Sequence, residues 1–243
     1  MKTKQISTLL IGLTIMTFSC KKGGLFCHNG NGEITTETRV LSDFDEIELG
    51  MAGTLYVTQG TDYNVQVEAS TNLMDIIETK VKNDRLIIEV KNNKCLKSDE
   101  EIQFFVTLPT VKSVAISGSG KIVTQNLIST DQVAFTISGS GDIVVDSLLA
   151  TKVSSTISGS GDLYLTGMDT VNTHIATISG SGKISTLDIV ANDSDVNISG
   201  SGECLVNVIN RLEVIISGSG NVRYKGTPSI TTNISGSGNI YPY

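Results

Sequence analysis

The chain has 243 residues, 39% of them hydrophobic, with 24 glycines, three prolines and no tryptophan. That is enough apolar material for a packed core, which excludes a disordered chain, and enough length for one large or two small domains. A formal net charge of −7 excludes a surface built to neutralise phosphates, so no nucleic-acid partner is expected.

Lys2 and Lys4 begin the chain with positive charge, and Ile6 to Phe18 is an apolar run too short to span a membrane. Ser19-Cys20 closes it. A small residue directly before a cysteine is similar to the lipobox of Bacteroidetes-type lipoproteins, although Thr17 stands where that motif has leucine. The resemblance implies a signal peptide over 1–19 and acylation of Cys20, which would hold the mature chain on a membrane. Cleavage would remove two lysines and no acids, moving the formal charge from −7 to −9. Residues 20–32 then read as a lipidated tether, with Lys21-Lys22-Gly23-Gly24 as its flexible start. The expected location is the cell envelope, as an outer membrane lipoprotein facing either the periplasm or the surface. Beyond Cys20, Cys27, Cys95 and Cys204 follow no metal-ligand spacing. One disulfide and buried thiols are both open readings, with Cys204 the clearest buried case.

Residues 33–110 alternate apolar and polar side chains at period two, as in Tyr63 to Glu68 and Leu86 to Val90, which predicts half-buried strands. Asn72 to Glu78 instead predicts a short helix or turn, with Leu73, Ile76 and Ile77 on one face. Pro109 breaks the strand pattern and marks a join.

From residue 111 to 243 the pentapeptide ISGSG recurs seven times, starting at Ile116, Ile137, Ile157, Ile178, Ile198, Ile216 and Ile234, at spacings of 18 to 21 residues. A fixed period of this length is the signature of a solenoid. The fold class expected is therefore all-β, a right-handed parallel β-helix with degenerate N-terminal coils. Phe44, Ile47, Leu49, Gly53 and Leu55 echo Val111, Val114, Ile116, Gly120 and Ile122 at a constant offset of 67, which makes residues 33–110 a degenerate β-helical segment.

Within a repeat, Val133, Phe135, Ile137 and Ile143 share one parity and should point inward, while Ser138 and Ser140 point outward in ladders of hydroxyls. The site-like positions are the structural repeat turns: Gly118 and Gly120, Gly139 and Gly141, Gly159 and Gly161, Gly180 and Gly182, Gly200 and Gly202, Gly218 and Gly220, and Gly236 and Gly238. There the missing side chain lets the chain turn close to the core, and glycine tolerates a positive φ.

Each motif is followed by a polar residue of varying sign: Lys121, Asp142, Asp162, Lys183, Glu203, Asn221 and Asn239. Lysine at two of these places argues against calcium, so no metal is expected. No long helix follows the glycines to hold a phosphate, and no cofactor is expected. The two histidines, His28 and His174, belong to no nucleophile–base motif. His174 is expected on a solvent-facing strand position. Asp142 and Asp162 are the nearest approach to a catalytic carboxylate pair, and Tyr164, Tyr224, Tyr241 and Tyr243 are scattered through the array. No catalytic residue is predicted.

The segments Arg39-Val40-Leu41-Ser42-Asp43-Phe44-Asp45-Glu46-Ile47 and Gly53-Thr54-Leu55-Tyr56-Val57-Thr58-Gln59-Gly60, with the seven ISGSG copies, resemble the DUF2807 family of envelope proteins, the autotransporter adhesin "head GIN" domains. The resemblance covers about residues 33–240 and implies a β-helical fold and an adhesin-like role, with no catalytic residue to carry over. The expectation is a lipid-anchored binding or structural module without catalysis. Its partners would be the membrane, through the lipid, and a glycan or protein ligand not identified by the sequence. The alternatives are a carbohydrate-active β-helix enzyme and a self-assembling homo-oligomer joined through the edge of the last coil.

Overall fold

The computed structural model describes residues 27–97 and 101–243. The predicted signal peptide, Cys20 and most of the tether lie outside them. The described residues contain no α-helix; the chain is a stack of parallel coils forming a β-solenoid of about six turns.

Three pleated sides build each early coil. One side ends in the motif isoleucine, and its rungs pair in parallel: Ile116 with Ile137, Ile137 with Ile157, Ile157 with Ile178, and Ile178 with Ile198. The second side follows the glycines, pairing Ile122 with Ile143 and Ile143 with Leu163. The third side stacks Ile128 on Leu148. Period-two alternation sends one residue of each pair inward, so Ile116, Ile137, Ile157, Ile178, Ile198 and Ile216 are all at most 1% exposed. Each such burial contributes about 1.5–3 kcal/mol that an isolated coil could not obtain.

The offset-67 echo is a physical rung. Ile47 pairs with Val114 and Leu49 with Ile116 on the first side, and Leu55 pairs with Ile122 on the second. The stack, however, does not follow chain order. The strand Arg85–Val90 lies beneath Glu46–Leu49, and Gln103–Leu108 lies beneath Thr54–Gln59, both in parallel. The strands Arg85–Val90 and Gln103–Leu108 therefore form the rung below residues 46–59, and residues 113–124 form the rung above.

Antiparallel strands finish that lower end: Ile77–Lys82 on Arg85–Val90, then Asn64–Ser70 on Gln103–Leu108 with Ile34–Arg39 outside it. The outermost of these strands carry charges, Glu78, Lys80 and Lys82 on one side and Glu37 and Arg39 on the other, which discourages further strand pairing. The helix-like stretch is a single 3₁₀ turn, Thr71–Leu73. Ile77 already belongs to the next strand, and Leu73, Ile76 and Ile77 are all buried. At the other end, Ser229–Gly236 pairs on one side with the strand below and is exposed along its whole length.

A disulfide joins Cys27 to Cys95 and aligns the two-residue strand His28–Asn29 with Leu96–Lys97. Cys204 is a buried free thiol, and burial pushes its pKa up. The bridge closes a loop of 68 residues. Because the strands it joins are short and exposed, Cys95→Ser is expected to cost about 2 kcal/mol, the lower end of the usual range. A lowered urea midpoint, with no further loss on adding reductant, would bear this out. An unchanged midpoint would show that the bridge merely decorates the cap.

Candidate functional site

The motif corners hold the chain together through their backbones. Ser138 N–H donates to Ile116 O at 2.8 Å, Ser140 N–H to Gly118 O at 3.2 Å and Asp142 N–H to Gly120 O at 3.1 Å; the same pattern recurs up the stack. The serines point outward, as their parity requires. Among the described residues, the corner hydroxyl in a side-chain hydrogen bond is Ser117, which donates to Glu48 at 2.9 Å, so the expected hydroxyl ladder does not form.

Glycine is required because consecutive corners nearly touch. A Cβ built on Gly139, Gly159, Gly180, Gly200, Gly218 or Gly236 would run into the carbonyl oxygen of the glycine one coil below. On Gly118 it would be tight, 3.1 Å from Met51 N and 3.2 Å from Gly50 C, and on Gly120 it would collide with Leu49 Cδ2 at 2.5 Å and Met51 O at 2.7 Å. On Gly202 it would lie 2.5 Å from Ile178 Cγ2 and 2.7 Å from Gly182 O, and Gly141, Gly161, Gly182, Gly220 and Gly238 are similarly placed. The missing side chain thus faces along the stack as well as toward the core. A positive φ is needed only at some corners, among them Gly200, Gly218 and Gly236. These glycines shape coils and offer no chemistry.

His174 is not on the solvent side. It is 2% exposed, in the inward column that runs Val133, Val153, His174, Ser194 and Leu212. Its Nε2 lies 3.2 Å from Ser155 Oγ and its Nδ1 3.4 Å from Ser194 Oγ, both serines being fully buried. With no facing carboxylate, burial alone lowers its pKa to about 4, so the ring is neutral. Two serines around a histidine suggest a nucleophile and base. These groups, however, lie inside a closed core that no substrate reaches, and they serve to satisfy one another.

Asp142 and Asp162 do stack, but Asp142 Oδ1 accepts the Asp162 backbone N–H at 3.2 Å, and Asp162 Oδ2 accepts the Tyr164 hydroxyl at 3.2 Å. Farther up the same column Glu203 pairs with Lys183 and Arg223 at 3.4 and 3.3 Å. No cluster able to hold a metal ion occurs among the described residues. An open groove of about 600 Å³ on another side is lined by Thr110, Lys112, Thr130, Asp131, Lys152 and Ser154 among others; the Thr130 hydroxyl donates to Gln132 O at 3.3 Å, and neither it nor Ser154 is hydrogen-bonded to Asp131 or Lys152.

The outer face of the second side carries a feature invisible along the chain. In five successive rungs the central outward residue is apolar or aromatic, in the spatial order Phe105, Tyr56, Val123, Val144, Tyr164. Each has a polar neighbour two residues before and after it: Gln103 and Thr107, Thr54 and Thr58, Lys121 and Gln125, Asp142 and Asp146, Asp162 and Thr166, of which Thr54 is buried with its hydroxyl bonded to Glu101. The rings of Tyr56 and Phe105 stack at 5.2 Å with an interplanar angle of 14°. Tyr164, 40% exposed, closes the stripe before Ser185 interrupts it. Tyrosines that look scattered in sequence are therefore partly aligned; Tyr241 falls in the same column farther up, past Arg223.

No curated protein is similar to the chain. Solved structures are. A putative adhesin from Bacteroides fragilis NCTC 9343 is 24% identical, with a TM-score of 0.83 over 89% of this chain and 100% of that one. A putative lipid binding protein from Parabacteroides distasonis ATCC 8503 is 26% identical, with a TM-score of 0.75 over 90% and 100%. A putative adhesin from the same organism is 21% identical, with a TM-score of 0.71 over 88% and 99%. Residues 43–228 match the family described as "putative auto-transporter adhesin, head GIN domain", and with the rungs on both sides of residues 46–59 in place, the chain belongs to that family, DUF2807.

Proposed function

We propose that this chain is a lipid-anchored envelope protein, held through Cys20, whose solenoid is a rigid binding module and performs no catalysis. The observation that carries this reading is where the reactive groups lie. His174 and Cys204 are sealed in the core, and the stacked carboxylates are tied up in ladder hydrogen bonds and ion pairs. What varies from coil to coil is the outer surface, as expected where recognition is grafted onto a rigid scaffold. Adhesin-like relatives in the family agree with a place at the cell envelope.

Two measurements test the two halves of the proposal. Metabolic labelling with an alkyne palmitate should mark the wild-type protein and leave Cys20→Ala unlabelled and released from the membrane fraction. Labelling unaffected by the substitution would remove the anchor. Retention on immobilised glycans, matrix proteins or envelope fractions should occur without turnover; turnover of a polysaccharide would overturn the non-catalytic reading.

A further inference from the structure

We propose that the outer stripe of the second side is a carbohydrate-binding face, and that its ligand is an uncharged glycan seated over Val123 and Val144 between Tyr56 and Tyr164. The proposal rests on the reading of the chain as a binding module and names that module's surface and ligand class.

The stripe is one side chain wide. Packing a second sheet on this face would bury the flanking columns as well, including Lys121, Asp142 and Asp146, without partners, and that cost disfavours a flat protein partner. A sugar ring has the complementary pattern: apolar C–H groups on its faces and hydroxyls around its edge. Outward positions two residues apart along a strand are about 7 Å apart, so hydroxyls at the rim of a ring over the stripe meet the polar columns on both sides. Those columns supply what hydroxyls need: the amide nitrogen of Gln125, whose Oε1 already accepts the Thr58 hydroxyl at 3.1 Å, and carboxylate acceptors at Asp146 and at the Asp142 oxygen that does not take the Asp162 N–H.

The relief of the stripe also fits. Val123 and Val144 are shorter than the tyrosines that bracket them, so the surface is a shallow saddle about 14 Å long, three coil spacings from Tyr56 to Tyr164. Tyr56 is braced from behind by Phe105, and the Tyr164 hydroxyl is bonded to Asp162, so both walls are preorganised and little order has to be imposed on binding. Carboxylates crowd the Tyr164 end, which selects against polyanionic chains.

Affinity electrophoresis through gels containing a neutral β-1,4-glucan, a β-1,3-glucan or an α-mannan, with alginate as the anionic counter-probe, tests the proposal. The protein should be retarded by at least one neutral polymer and not by alginate. Tyr56→Ala and Tyr164→Ala should each weaken that retention about tenfold, the loss of one aromatic contact. Tyr243→Ala, away from the saddle, should not. Val144→Trp fills the saddle from an outward position and should abolish retention with an unchanged melting temperature. Retardation by none of the neutral polymers, by alginate alone, or equally in the Tyr56→Ala/Tyr164→Ala double variant would overturn the proposal. So would a change in oligomeric state in that variant in place of lost retention. Binding to envelope or matrix material that survives the double variant would retain the module and discard this face, whereas no binding to any material would discard both.

Discussion

Gly161→Ala should destabilise the solenoid by about 3 kcal/mol or more, as a lowered urea midpoint, whereas Gly50→Ala should stay within about 1 kcal/mol of wild type. Both glycines sit at corners. A methyl on Gly161 would collide with the carbonyl oxygen of Gly141 and lie 2.9 Å from Ile137 Cγ2. The carbonyl is backbone and cannot swing aside, and moving it would disturb the corner that already joins Asp142 N–H to Gly120 O at 3.1 Å and Lys183 N–H to Gly161 O at 3.2 Å. At Gly50 the nearest atoms to a new Cβ are Ile88 O and Ser117 Oγ, both at 3.4 Å, which is close to ordinary contact. The comparison separates glycine used for close approach from glycine used for the turn. Equal losses at the two positions would show that flexibility, common to both, is what matters.

Acid should weaken the fold through His174. The buried ring is neutral with a pKa lowered to about 4, while in the unfolded chain a histidine titrates near 6.5. Between those values the unfolded state binds a proton that the folded state does not. The stabilisation from keeping this ring neutral is therefore complete above about pH 6.5 and is lost progressively as pH falls to about 4, a total of about 3 kcal/mol. His174→Gln keeps a hydrogen-bonding side chain between Ser155 and Ser194 but cannot titrate. Its urea midpoint should fall less steeply than that of wild type over this window, whatever its stability at pH 7. Parallel pH profiles for the two proteins would refute the assignment.

How far these features could be read from sequence differs from residue to residue. The coil, its inward isoleucines and the rung at residues 46–59 were legible because each follows from local repetition: a period near 20, alternation of two, and a constant offset of 67. His174 was legible in principle. It stands four residues before Ile178, as Val133 stands before Ile137, and counting back from the motif places it inward. Reading its own five residues alone points outward, because a polar ring following Asn172 and Thr173 looks solvated. The serines that satisfy it, Ser155 and Ser194, belong to the coils on either side and are 19 and 20 residues away.

Cys204 was legible as a buried thiol from its place within a repeat, but its spacing to the others did not show that Cys27 and Cys95 pair; the fold brings those two together. The aromatic stripe was not legible either. Phe105 follows Tyr56 in the chain by 49 residues but lies on the rung beneath it, because Gln103–Leu108 is reached through the antiparallel strand Asn64–Ser70.

The sequence by itself determined the coil: which residues face in, where each turn needs glycine, and that identical turns must stack. Those are short-range demands, set by pleat alternation and by the volume of a Cβ. Only the tertiary structure decided the order of the N-terminal rungs, and with it the neighbours of Tyr56, the partners of His174 and the bridge between Cys27 and Cys95. Such contacts join residues distant in the chain, and several geometrically acceptable pairings compete for them. The choice falls to whichever arrangement buries the most apolar surface while leaving every strand paired or its edge charged.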